Sequence, residues 1–176
     1  MEEFIEIRPR KRYFHRIYTG IMLWFLGRAV QAAARVDKEV AAEFSKMPDN
    51  YTFSLGAFPC GPYMVVGKDE KAVPRYMGGD ITKQPVHLQI CLKSIGCLFA
   101  LLSFQESTPV ANARARIFVS GDVPHACAVV RILDIVQVYL LPSFIAKLAV
   151  KRYPDWSLKR HTIDRCRVLF RTILGY

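Results

Sequence analysis

Four histidines and five cysteines are the side chains best suited to chemistry in this chain of 176 residues, and their spacing decides which chemistry is open to them. His15, His87, His125 and His161 are far apart, and none stands in an H-x-x-x-H, C-x-x-C or H-x-E arrangement that brings ligands to one metal. A zinc site is not expected. His87 and Cys91 are four apart, which would put them on one helix face, but their segment alternates as a strand, where that spacing leaves them about 13 Å apart. The glycine-rich loops that cradle phosphates or dinucleotides are missing, as is the G-x-S-x-G turn of a serine nucleophile. Glu106 and Asp122 are the remaining carboxylates to weigh, and each has a simpler use at the start of a helix. Nothing here proposes an enzyme: no catalytic residue, no metal and no cofactor is expected.

The compartment and the partners are read from composition. Cys60, Cys91, Cys97, Cys127 and Cys166 are odd in number and form no C-x-x-C pair, and the first residues lack the pattern of a secretory leader. A cytoplasmic protein is expected, peripheral on the inner membrane face if it meets a membrane. The apolar uncharged runs Ile17–Gly27, Ser94–Gln105 and Ile135–Ala146 are shorter than the roughly 20 residues of a spanning helix. The chain carries 25 Lys and Arg against 15 Asp and Glu, a net +10, with 52% hydrophobic residues, which excludes disorder as the ground state. Residues 147–176 hold eight basic and two acidic side chains, a net +6, so most of the excess lies in a tail and the central region is nearly balanced. Nucleic acid, acidic protein and phospholipid head groups all answer to that charge.

The elements that must position these residues follow from periodicity. From Pro9 to about Lys46 apolar residues recur at three and four: Phe14, Ile17, Ile21, Trp24 and Phe25, then Ala29, Ala33, Val36, Val40 and Phe44. They have the spacing of one helix face, with a bend near Gly27. Residues 51–57 and 63–66 read as a hairpin around Pro59-Cys60-Gly61-Pro62, with a weaker extended stretch over 72–77. The clearest strand has Val86, Leu88, Ile90 and Leu92 on one side. A short helix over 95–102 follows, then one opened by Ser103, Glu106 and Thr108-Pro109, and a strand over 114–119. Asp122 caps a helix starting at Val123, and a further helical stretch over 139–152 contains Pro142. The tail, 157–174, predicts a basic amphipathic helix with Ile163, Cys166, Phe170 and Leu174 on its apolar side.

The order of elements from Gly78 to Pro142 resembles the sterol carrier protein 2 domain. The residues that carry the likeness are the Gly-Gly-Asp turn, the strand Pro85–Lys93, the short apolar helix, the linker Thr-Pro-Val-Ala-Asn-Ala, the strand 113–119 and the turn Ser120-Gly121-Asp122 before an apolar helix. With the hairpin and the preceding helix the likeness covers about residues 30–150. Family members usually have a Gly before the basic residue that opens the last strand, where this chain has Asn112-Ala113-Arg114. The resemblance implies an α+β fold: a five-stranded, mostly antiparallel sheet with helices packed on it around an apolar tunnel. It also implies non-catalytic binding of a sterol, fatty acyl chain or isoprenoid. The chain then divides into an N-terminal helical extension (1–29), a lipid-binding domain (30–152) and a basic C-terminal helix (153–176).

On that basis the apolar pocket is expected from Leu88, Ile90, Phe99, Leu102, Leu133, Val136, Leu140, Phe144 and Leu148, although a filled core would use the same residues. Membrane docking is expected from Lys159, Arg160, Arg165, Arg167 and Arg171, with Trp24, Phe25 or Phe170 inserting; a solvated face of a helix packed on the domain is the alternative. The expected partners are a lipid or other apolar small molecule, an anionic membrane surface, and an enzyme complex of isoprenoid-quinone or lipid biosynthesis if the protein is an accessory or scaffold. Nucleic acid is not expected, since the aromatics fall mostly on apolar faces and do not interleave with the basic clusters.

Overall fold

A computed structural model describes residues 12–68, 73–140 and 164–175. Its centre is a five-stranded sheet in the order β3-β2-β1-β4-β5, formed by β1 (Thr52–Ala57), β2 (Tyr63–Lys68), β3 (Pro74–Gly78), β4 (Leu88–Leu92) and β5 (Ile117–Ser120). Three of the four pairings are antiparallel and β1 with β4 is parallel, as the expected mostly antiparallel sheet requires. Alternation sets one face: Phe53 lies opposite Val66 and Leu88, and Leu55 opposite Met64 and Ile90. All of these are buried in a single core. A register slip of one residue would move that whole set to the other face of the sheet, away from this core, which fixes the pairing.

Six helices accompany the sheet: α1 (Tyr13–Val36), α2 (Lys38–Ser45), α3 (Ile95–Leu102), α4 (Thr108–Ala113), α5 (Val123–Leu140) and α6 (Arg165–Leu174). The bend expected near Gly27 is absent, and α1 runs unbroken to Val36. Gly27 is instead a contact point, because a Cβ there would lie 2.4 Å from the Tyr76 ring on β3. The real break is at Asp37, whose extended backbone ends α1 and whose Oδ1 accepts the Glu39 amide at 2.8 Å to cap α2. α1 crosses β2 and β3 and packs on α3, α5 and α6, so its second half lies in the same core as the sheet. By length and composition α5 would reach across a membrane, with a mean hydropathy of 1.5, but here Val129, Ile132 and Val136 are sealed into the core.

Several boundaries differ from expectation for identifiable reasons. Glu106 does not open α4; it is buried and binds Arg114 at 2.8 Å and Arg116 at 2.6 Å. Those two arginines then precede β5, which starts at Ile117 after a left-handed Ala115. The expected strand from residue 86 starts at Leu88, since the His87 ring turns to Thr52. The helical stretch expected over 139–152 is α5 up to Leu140, and its remainder lies outside the described residues, as does 157–163 of the tail.

Candidate functional site

The apolar residues expected to hold a ligand are for the most part brought together. Leu88 and Ile90 on β4, Leu102 on α3 and Leu133 and Val136 on α5 are all buried in the one core, and Leu140 packs against its end. Phe99 stands apart, in an aromatic cluster between α3 and α1, with its ring centroid 4.3 Å from His15 and 5.1 Å from Tyr18. Phe144 and Leu148 lie outside the described residues.

Among the polar groups nearby, His87 has a structural partner. His87 Nδ1 accepts from the Thr52 amide at 3.2 Å, and the Tyr51 ring sits between His87 and His125. Burial pushes the Cys91 thiol up, away from the reactive thiolate. Asp134 on α5 is half-buried, and burial pushes its carboxyl up to about 6. Among the described residues no three His, Cys, Asp or Glu gather as a metal site requires.

The first half of the periodic stripe on α1 is open. Phe14, Ile17 and Ile21 are 70%, 65% and 60% exposed, and Trp24 and Tyr13 lie open beside them. The buried face is built from Leu23, Leu26 and Val30 with the alanines 29, 32 and 33, of which Ala29 and Ala33 belong to the expected stripe, and these small side chains let the helix approach the sheet closely. α1 is therefore apolar on two sides. Periodicity finds both but cannot say which one meets the sheet.

α6 repeats the pattern. Its predicted apolar side does not pack: Phe170 and Leu174 are 66% and 51% exposed, with Ile173 open beside them, while Val168 and Thr172 are fully buried against the domain. Arg28 joins the two helices, its guanidinium 4.6 Å over the Trp24 ring and its Nη1 donating to the Ile173 carbonyl at 3.3 Å. A cation suits that place, since the carbonyl end of a helix carries partial negative charge. Of the expected docking residues, Arg167 and Arg171 are exposed, Arg165 is half-buried, and Lys159 and Arg160 lie outside the described residues. Sequence reasoning missed Arg28, Tyr13 and Ile173 as members of this surface. Only the lack of any acidic residue in either helix could have pointed to it.

No family model matches the sequence, and no curated protein matches it. Among solved structures it is similar to one titled "UbiJ-SCP2 Ubiquinone synthesis protein", with 10% identity, a TM-score of 0.44, and coverage of 70% of this chain and 98% of that one. It is also similar to the apo form of Sterol Carrier Protein 2 from Yarrowia lipolytica, with 19% identity, a TM-score of 0.42, and coverage of 73% and 96%. The likeness is one of fold.

Proposed function

We propose that this protein binds a lipid-like molecule without reacting it and docks on anionic membrane surfaces through α1 and α6. The carrying observation is the exposed apolar surface of the two packed helices, Phe14, Ile17, Ile21 and Trp24 on one and Phe170 and Ile173 on the other. Their only ionisable groups besides His15, tyrosines and Cys166 are six arginines, and neither helix has an Asp or Glu. A basic group near an anionic bilayer is worth about 1 kcal/mol, and a large apolar side chain fully removed from water about 1.5–3 kcal/mol. A few inserted side chains with two or three arginines at the head groups therefore hold the protein reversibly at a surface.

Such a face serves a protein that takes an apolar molecule from a bilayer or presents one beside it, either alone or next to enzymes that make the molecule. Leu88, Ile90, Leu102, Leu133 and Val136 are the residues proposed to meet that molecule, a sterol, acyl chain or isoprenoid. Native mass spectrometry of the purified protein, followed by organic extraction, tests the cargo. A co-purifying apolar molecule of defined mass is expected, and protein that stays ligand-free even after incubation with phospholipid vesicles would overturn this reading.

A further inference from the structure

Beside the start of α1 lies a groove of about 530 Å³, walled also by the turn between β1 and β2 and the turn between β4 and α3. It gathers three cations from segments distant in sequence, Arg12 and Arg16 at the head of α1 and Lys93 after β4. None of the described residues that line it is acidic, and none of these three cations has a carboxylate within ion-pair distance among the described residues. Other basic groups do find carboxylates, as Arg131 and Lys46 find Glu43 and Arg114 and Arg116 find Glu106.

Like charges brought together without a counter-charge repel each other, and the position of Arg12 adds to the excess. Its guanidinium rests on the first turn of α3, so close that a Cβ on Gly96 would lie 2.6 Å from Nη1. A helix start carries partial positive charge, so a guanidinium there is favourable only with an anion between them. The walls, by contrast, are apolar: Tyr13, Phe58 and Ile95. Tyr13 belongs to both surfaces, lining the groove and heading the exposed row that continues through Ile17, Ile21 and Trp24.

We propose that this groove binds the phosphate of an anionic membrane phospholipid, with Arg12, Arg16 and Lys93 as its donors and the glycerol and first methylenes against Tyr13, Phe58 and Ile95. Guanidinium groups suit phosphate oxygens through paired N–H donors, and Lys93 adds a point charge. The acyl chains then leave beside the apolar row of α1, so the inference rests on that row facing the membrane. A free phosphate offers the same oxygens but nothing for the apolar walls.

The test is a titration of the full chain, followed by amide NMR shifts, with dihexanoylphosphatidylglycerol kept below its micelle concentration, and separately with inorganic phosphate. Saturable shifts at Gly61, Ser94 and Gly96 are expected with the lipid, with clearly weaker binding of inorganic phosphate. In the double variant Arg12→Gln, Lys93→Gln, both sites being exposed, lipid binding should weaken by about tenfold or more. Equal affinity for inorganic phosphate would overturn the lipid assignment, and no shift at these amides in the unaltered protein would overturn the site. If the protein sediments with phosphatidylglycerol vesicles but shows no such shifts, docking stands and this inference fails. If the shifts appear in a protein that ignores vesicles, the groove stands and the docking face fails.

Discussion

The Tyr139 hydroxyl donates to the Asp37 carboxylate at 2.5 Å, joining the end of α5 to the corner between α1 and α2 across 102 residues of sequence. Both side chains are buried, and the other oxygen of Asp37 caps α2. Removing the hydroxyl would leave a buried carboxylate short of a donor. Tyr139→Phe should therefore lower the free energy of unfolding by about 1–3 kcal/mol, read by urea denaturation. Vesicle binding should be unchanged, because neither residue reaches the outer face of α1.

The two glycines of α1 should respond oppositely to the same substitution. A Cβ at Gly20 would meet only Pro62 Cβ at 3.8 Å, an ordinary contact, whereas at Gly27 it would press to 2.4 Å from the Tyr76 ring. Gly20→Ala should stabilise by about 0.5–1 kcal/mol through helix propensity alone. Gly27→Ala should destabilise by about 1–3 kcal/mol, as overpacking does, and thermal unfolding of the pair would show the opposite signs directly.

Asp134 makes a prediction about pH. Burial holds its carboxyl at about 6 in the folded protein, above the ordinary 3.8. The folded state thus keeps this proton longer than the unfolded chain does. Its contribution to stability is complete below the ordinary value and is lost as the pH rises through about 6. Asp134→Asn stays uncharged throughout, so the variant should match the parent in acid and exceed it in Tm above about pH 6. Parallel Tm curves for the two proteins over that range would show that the residue is not desolvated.

Much of the sheet was legible because alternation has a period of two and the large apolar side chains fall on one face. Phe53 and Leu55, Met64 and Val66, and Leu88, Ile90 and Leu92 all lie where the pattern put them. The helices were legible as helices but not in orientation. Phe14, Ile17 and Ile21 repeat like a core stripe and face outward, and on α6 Val168 and Thr172 are buried while Phe170, on the apolar side, is exposed. A helix with apolar residues on two sides offers two equally periodic stripes, and only the sheet chooses between them. Gly27 illustrates the same limit, since a helical glycine can mark a bend or a close approach and the sequence does not contain Tyr76 as its neighbour. The groove was beyond reach for another reason. Arg12 and Lys93 are 81 positions apart, and only the turn after β4 brings them to one place.

Docking through the outer face of α1 can be read from the protein itself, because Trp24 is one of two tryptophans. In a Trp156→Phe background, Trp24 reports alone. On adding phosphatidylglycerol vesicles its emission should shift to the blue and be quenched by brominated acyl chains, with no response to pure phosphatidylcholine vesicles and a loss of the response in Ile17→Asp, Ile21→Asp. Vesicle-bound protein whose Trp24 emission stays unshifted and unquenched would contradict the assignment of this face to the membrane.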